Sequence, residues 1–247
     1  MPLPQIPVAE KTITLPIANT PVLIHSWRVG DEKLLLAAAQ SNNATEIQTT
    51  YVNLIQSVIQ TGHNIQTFQM ADVEYAFLQI RALSIDENIT RRYQCHSPNS
   101  ENASGHCDEI VTVQIPIASA QIEPLNATTT TFLNFDTPDH IIRVAMRMPT
   151  LADSPFIPPD PEDFEAIQPF LQRLITSITV DEAVFDPSDS TQPEWQRFFD
   201  SLQRQHLEQL QAFVQHIPHL VVRTPFECPK CGLKTELVFR GLRDLFF

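Results

Sequence analysis

The residues in this sequence best suited to chemistry are its four cysteines, two of them in the run Cys228-Pro229-Lys230-Cys231-Gly232. A C-x-x-C turn sets two thiolates on one side of a tight loop, close enough to share a tetrahedral zinc ion. The glycine after the second cysteine permits a positive φ, which turns backbone N–H groups towards the sulfurs. Hydrophobic strands are predicted on both sides, over residues 219–223 and 236–239. That is the layout of one zinc-ribbon knuckle; a redox C-x-x-C sits instead between a strand and a helix. Two thiolates leave a structural zinc site half built. The remaining cysteines are Cys95 and Cys107, with His96 and His106 beside them. The polar stretch 96–106 between them reads as an insertion in a widened second knuckle. The expectation is one structural zinc per chain on Cys95, Cys107, Cys228 and Cys231, pinning the C-terminal segment to the middle of the chain. Two unrelated thiols, or a histidine in place of one cysteine, are the alternatives.

A closed shell of four protein ligands has no position for water, which argues against zinc catalysis. Other catalytic patterns are missing from the sequence. The eight histidines include no H-E-x-x-H pair, and no G-x-S-x-G elbow occurs. His206, between Leu202 and Leu210 on a helical stripe, reads as a packed or half-exposed histidine at the edge of a core. Five glycines supply no phosphate-cradling loop. The chain is expected not to be an enzyme.

The elements that must position the cysteines follow from periodicity. With 247 residues, 43% of them hydrophobic, the chain can build one large domain or two small ones. Twenty prolines against five glycines mean that proline-bent connections replace many glycine turns. Residues 1–21 read as an extended arm. Residues 22–148 read as an α+β domain: a strand, then helices, one carrying Val73, Ala76, Phe77, Ile80 and Leu83 on one stripe with Asp72 as its cap. Strands follow near 110–115, 130–135 and 141–146. A proline- and acid-rich connector is expected over 149–163. Residues 164–247 then carry two amphipathic helices, the second from about 193 to 216, closed by the knuckle packing on the first domain. The fold class is therefore α+β, with N-terminal helices, a central antiparallel β-region and C-terminal amphipathic helices.

Charge narrows the partners. The net charge of −13 disfavours sequence-independent nucleic-acid binding. Residues 151–200 hold eleven acids and two bases, either a solvated face or a docking surface for a basic partner. Arg91, Arg92, Lys230, Lys234, Arg240 and Arg243 would converge if zinc joined the two cysteine pairs. They would then either balance those acids or contact an acidic partner or single-stranded nucleic acid. Leu242, Leu245, Phe246 and Phe247 must pack back into the fold or enter a partner, because exposed aromatics cost about 2 kcal/mol each. No basic-then-apolar leader and no run of 18 apolar residues is seen, so synthesis in a reducing cytoplasm and no membrane span are expected.

Two stretches carry a resemblance. One is Asp72-Val73-Glu74-Tyr75-Ala76-Phe77-Leu78-Gln79-Ile80-Arg81-Ala82-Leu83-Ser84, leading to Cys95. The other runs from the Trp195 helix through Phe226-Glu227-Cys228-Pro229-Lys230-Cys231 to Gly241-Leu242-Arg243-Asp244-Leu245-Phe246-Phe247. Over residues 22–95 and 193–247 the chain resembles the baseplate hub proteins of T-even-type contractile-tailed bacteriophages. Residues 96–192 match only in general organisation. The resemblance implies a non-enzymatic structural or assembly component of the tail baseplate. It would bind other baseplate proteins, assemble in the host bacterial cytoplasm and end in the virion or on its assembly intermediate. A zinc-ribbon module contacting nucleic acid or a transcription component is the competing reading.

Overall fold

The computed structural model describes residues 6–40, 44–98, 106–125, 130–135, 137, 139–158 and 163–246, with backbone alone at 35, 38, 39, 44–48 and 243. Strands β1 (Glu10–Thr14) and β2 (Pro21–His25) lead to helices α1 (Val29–Gln40) and α2 (Ala44–Val58), the short strand β3 (Ile59–Gln60) and helix α3 (Met70–Ser84). Strands β4 (Asn88–Gln94), β5 (Ile110–Pro116), β6 (Ala120–Glu123), β7 (Thr130–Asn134) and β8 (Ile142–Arg147) come next. Helix α4 (Phe164–Leu174), strands β9 (Ile175–Val180) and β10 (Ala183–Phe185), and helices α5 (Gln192–Asp200) and α6 (Arg204–Gln215) follow. The described chain closes with β11 (His219–Glu227), β12 (Lys234–Arg240) and α7 (Gly241–Phe246). Every strand pairing among the described residues is antiparallel, so the fold is α+β.

The chain divides into two compact units, one of residues 1–63, 71–123 and 219–247, the other of 64–70 and 124–218. In the first, three small sheets surround α3: β1-β2-β3, the β4-β5 hairpin, and β12-β11-β6. Val73, Ala76 and Ile80 of α3 are buried, as their spacing predicts. Asp72 does not cap this helix, which begins two residues earlier at Met70. Its fully buried carboxylate accepts the N–H groups of Ile17 and Ala18, at 2.8 and 2.9 Å, in the turn between β1 and β2. The core of this unit joins Leu78, Ile115, Leu220, Phe226, Leu237 and Leu245. Pro225 lies in β11 beyond Val222, the last residue that β6 pairs, where β11 has a partner on one side only.

The second unit is a four-stranded sheet, in the order β10-β9-β8-β7, with apolar helices against one face. Val144 and Met146 of β8 meet Ile167, Phe170, Leu171 and Leu174 of α4, and Trp195, Phe199, Leu210 and Phe213 of the next two helices. The single helix expected over 193–216 is broken between Asp200 and Arg204. Ser201 donates its hydroxyl back to the Phe198 carbonyl at 2.7 Å, and the Gln203 N–H donates to His206 Nδ1 at 3.2 Å, restarting the helix. His206 is the packed histidine that its position on the stripe suggests, stacked on Phe135 with ring centroids 4.7 Å apart.

Residues 149–158 of the expected connector are ordered around one buried charge. Asp153 is completely buried and accepts two hydrogen bonds from Arg147, at 2.6 and 2.9 Å, and one from Arg173 Nε at 3.2 Å. The Thr150 N–H adds a bond at 2.8 Å. Desolvation opposes ionisation here, but Arg147 and the Thr150 N–H outweigh it and hold the carboxyl at about 2. A depressed folded pKa gives stability that is present above the ordinary carboxylate value and lost as pH falls through about 2. Asp153→Asn should therefore destabilise the chain at neutral pH by about 3 kcal/mol, the low end for a buried pair because both guanidiniums keep some water. Urea titration of wild type and variant should show that difference shrinking as the pH is taken from 4 towards 2.

Candidate metal centre

Two hairpins bring the four cysteines together. Cys95 follows β4 and Cys107 precedes β5; Cys228 follows β11 and Cys231 precedes β12. Their sulfurs all lie within 4.8 Å of one another. The closest pairs run between the hairpins, Cys95 to Cys231 at 3.7 Å and Cys107 to Cys228 at 3.8 Å. A disulfide requires about 2.05 Å, so neither pair is bonded. Four thiolates placed about 2.3 Å from a central zinc stand about 3.8 Å apart, the edge of that tetrahedron. The donor set therefore fits a thiolate-preferring tetrahedral cation.

The two hairpin ends share one backbone pattern. In the second, the Cys228 N–H donates to the Leu233 carbonyl and the Gly232 N–H to the Cys228 carbonyl, both at 2.9 Å. In the first, the Cys95 N–H donates to the Glu109 carbonyl at 2.8 Å and the Asp108 N–H to the Cys95 carbonyl at 2.9 Å. Gly232 has φ +71° and Asp108 has φ +57°, each directly after the second cysteine of its pair. The N–H groups of Leu233 and Glu109 then donate to the sulfurs of Cys231 and Cys107, and that of Ser97 to Cys95. The stretch 96–106 leaves and returns at one point, closed by the Cys107 N–H on the Ser97 carbonyl at 2.8 Å and a bridge between Pro98 and His106. Residues 99–105 lie outside the described residues.

Three of the sulfurs are interior; Cys231 stands at the rim. The Ser97 N–H favours a Cys95 thiolate, but burial and the sulfurs of Cys231 and Cys228 outweigh it and push the thiol up to about 12. Cys231 is drawn down to about 6, chiefly by the Leu233 N–H. Cys231 thus ionises more readily than Cys95 and Cys107, whose thiols are both pushed up. A divalent charge at its centre is what lets four thiolates coexist.

Asp108 supplies the positive φ that glycine supplies in the other hairpin, a role its residue type alone does not predict. Its place directly after Cys107, matching Gly232 after Cys231, is the signal that marks it. Asp is among the few residues other than glycine that enter this region readily.

The last helix is fastened to the same core. Leu245 is fully buried, and Leu242 and Phe246 pack against the cysteine-bearing cluster; Phe247 lies outside the described residues. Arg91 donates to the Leu245 carbonyl at 3.3 Å, and the Phe246 ring meets Phe77 edge-on at 5.9 Å. Gly241, at φ +66°, starts this helix directly against Glu74: a Cβ there would lie 3.4 Å from Glu74 Oε1. The Glu74 carboxylate accepts the N–H groups of Leu242 and Leu220, but desolvation dominates and raises its carboxyl to about 7. Of the basic residues expected to converge here, Lys234 pairs with Glu227 at 3.2 Å and Lys230 reaches the Cys107 carbonyl at 3.3 Å. The Arg243 side chain lies outside the described residues.

A family model described as T4 bacteriophage base plate protein matches residues 8–247 of the chain. The match runs through the middle, 96–192, where the sequence had shown general organisation only. Comparison with curated proteins and with solved structures finds no match.

Two measurements follow from this geometry. If the cluster holds zinc, elemental analysis should find about one ion per chain, and Cys95→Ser and Cys228→Ser should each abolish it. Acid should release it, because protons compete for thiolates. Glu74 acts with the opposite sign to Asp153. Its raised folded pKa favours the protonated carboxyl, so stability falls as pH rises from 4.5 through about 7. Glu74→Gln should flatten that slope, gaining on wild type by on the order of 2–3 kcal/mol across the interval. Subtracting the wild-type curve from the variant curve removes the acid dependence of the cysteines.

Proposed function

Because this chain belongs to the T4 bacteriophage base plate protein family, we propose that it is a structural or assembly component of the hub region of a contractile-tail baseplate. It acts by adhesion to neighbouring tail proteins and not by catalysis. One structural zinc on Cys95, Cys107, Cys228 and Cys231 closes two zinc-ribbon-like knuckles, and its place of action is the virion tail, reached from the host cytoplasm. The observation that carries the reading is the family match over residues 8–247.

The cysteine geometry supports a structural part for the metal. Four protein sulfurs fill a tetrahedral shell, and the ligands come from chain segments more than 120 residues apart, so an ion there would fasten the fold. Leu245 anchors the last helix inside, while Leu242 and Phe246, which keep some exposure, are the residues proposed to meet a neighbour. The nucleic-acid reading loses support, since Arg91, Lys230 and Lys234 are drawn into contacts within the chain.

The test is assembly. A tagged chain isolated from infected cells should carry baseplate proteins identifiable by mass spectrometry. Leu245→Ala, which removes a fully buried side chain, should cost about 2–5 kcal/mol and lower incorporation at elevated temperature. A tagged, functional chain that never enters baseplate intermediates overturns the proposal.

A further inference from the structure

Strand β10 is an edge that ends the second unit's sheet, and it is apolar in an unusual place. Its three residues, Ala183, Val184 and Phe185, are all exposed, Val184 at 71% and Phe185 at 54%. Exposed edges are ordinarily blunted by charge, proline or a bulge within the strand, because unpaired N–H and C=O groups invite another chain. Here Ala183 pairs with Val180 across the two-residue turn of Asp181 and Glu182. A two-residue turn makes that closing pair the hydrogen-bonded one, so Val184, one residue on, points its N–H and C=O away from β9. Phe185 lines an open groove of about 200 Å³ together with Ile178, Ser190, Glu194, Trp195 and Phe198.

The surroundings fix the sign of what can approach. Residues 181–200 contain six acids, Asp181, Glu182, Asp186, Asp189, Glu194 and Asp200, against the single base Arg197. All six are exposed, and of them Asp181 is already met by His140 Nδ1 at 2.8 Å and the Ile141 N–H at 3.0 Å. Asp186 accepts the Ser188 N–H and Glu194 accepts from Thr191, which holds both carboxyls below the usual range and keeps them charged. An apolar centre with a charged rim is the anatomy of an interface. A second copy of this chain would bring the same acids against these, so like charge opposes self-pairing.

We propose that β10 and the groove that Phe185 lines dock an extended segment of another protein in which apolar and basic residues alternate. It would add as a fifth strand beside β10, main chain to Val184, with an apolar side chain in the groove and its basic side chains on the acidic rim. This assigns the acidic stretch a partner of defined chemistry.

The probe is a fluorescein-labelled nine-residue peptide of alternating lysine and valine, titrated with the full chain and followed by anisotropy. Wild type should bind it, more weakly as salt rises, and should not bind the matching glutamate and valine peptide. Val184→Thr with Phe185→Ser should weaken binding at least tenfold, as expected when the apolar centre is lost. Glu182→Gln with Asp186→Asn should weaken it about three- to tenfold, and mostly at low salt. The altered side chains are more than half exposed or on the rim, and circular dichroism checks that both variants stay folded. No binding to wild type overturns the proposal. So does a loss confined to the charge variant, which would mean a diffuse attraction. Concentration-dependent dimerisation of wild type that Phe185→Ser abolishes would assign the edge to a second copy and overturn it equally.

Discussion

The first unit depends on a meeting of four sulfurs from two hairpins. Cys95 and Cys231 are 136 residues apart in sequence, and bringing such distant points together costs chain entropy that local secondary structure does not recover. Cysteines left as thiols would add little beyond the packing of small apolar groups. Crossing the closest pairs between the hairpins makes each hairpin end the partner of the other, so neither pair closes the site alone. Packing extends from there. The hydrophobic cluster that contains Cys95, Cys107 and Cys228 also contains Leu245, which is how the last helix comes to share a core with α3. Glu74 and Arg91 then hold that helix at its start and near its end.

The second unit solves its central problem differently. A carboxylate buried without counterions would be protonated or expelled. Asp153 is retained because two arginines and the Thr150 backbone reach it from different elements. A charge thereby ties the short 3-10 turn Leu151–Phe156 after β8, which holds Pro155 inside it, to helix α4. The sheet behind it is covered by helices on one face, and the short, apolar β10 ends it.

The sequence revealed the cysteines more fully than the elements that carry them. The turn at Cys228 is legible because C-x-x-C-G is a local pattern that sets two thiols on one side of a tight loop. The widened pair is suggested by the polar, loop-like residues 96–106 between Cys95 and Cys107, whereas the strand β4 that leads into Cys95 is not predicted from the sequence. Asp108 is not legible in the sequence, since positive φ is a property of the folded backbone that an aspartate does not announce. The core stripe of α3 follows from spacing, but the role of Asp72 does not: its side chain type suits a helix cap, and only tertiary structure shows that it serves the turn between β1 and β2. The break between α5 and α6 was hidden for a similar reason. Apolar spacing runs through 193–216, while Ser201 and Gln203 act through single hydrogen bonds that leave no mark on periodicity. Charge was the least legible property. Six basic residues from two distant segments leave open in sequence whether they meet a partner or the chain itself; Arg91, Lys230 and Lys234 end in contacts within the chain.

The clasp between Ser97 and Cys107 separates the geometry of the cysteine cluster from the length of what lies between them. The strands end at Gln94 and resume at Ile110, and the hydrogen bonds from Cys95 to Glu109 and from Asp108 to Cys95 shut the hairpin without reference to the excursion. Residues beyond the Pro98–His106 bridge can therefore be lengthened, shortened or exchanged while the sulfurs keep their places. Related chains are free to diverge there in both length and composition. An epitope or fluorophore inserted between Pro98 and His106 would leave the clasp and the hydrogen bonds of the hairpin end in place.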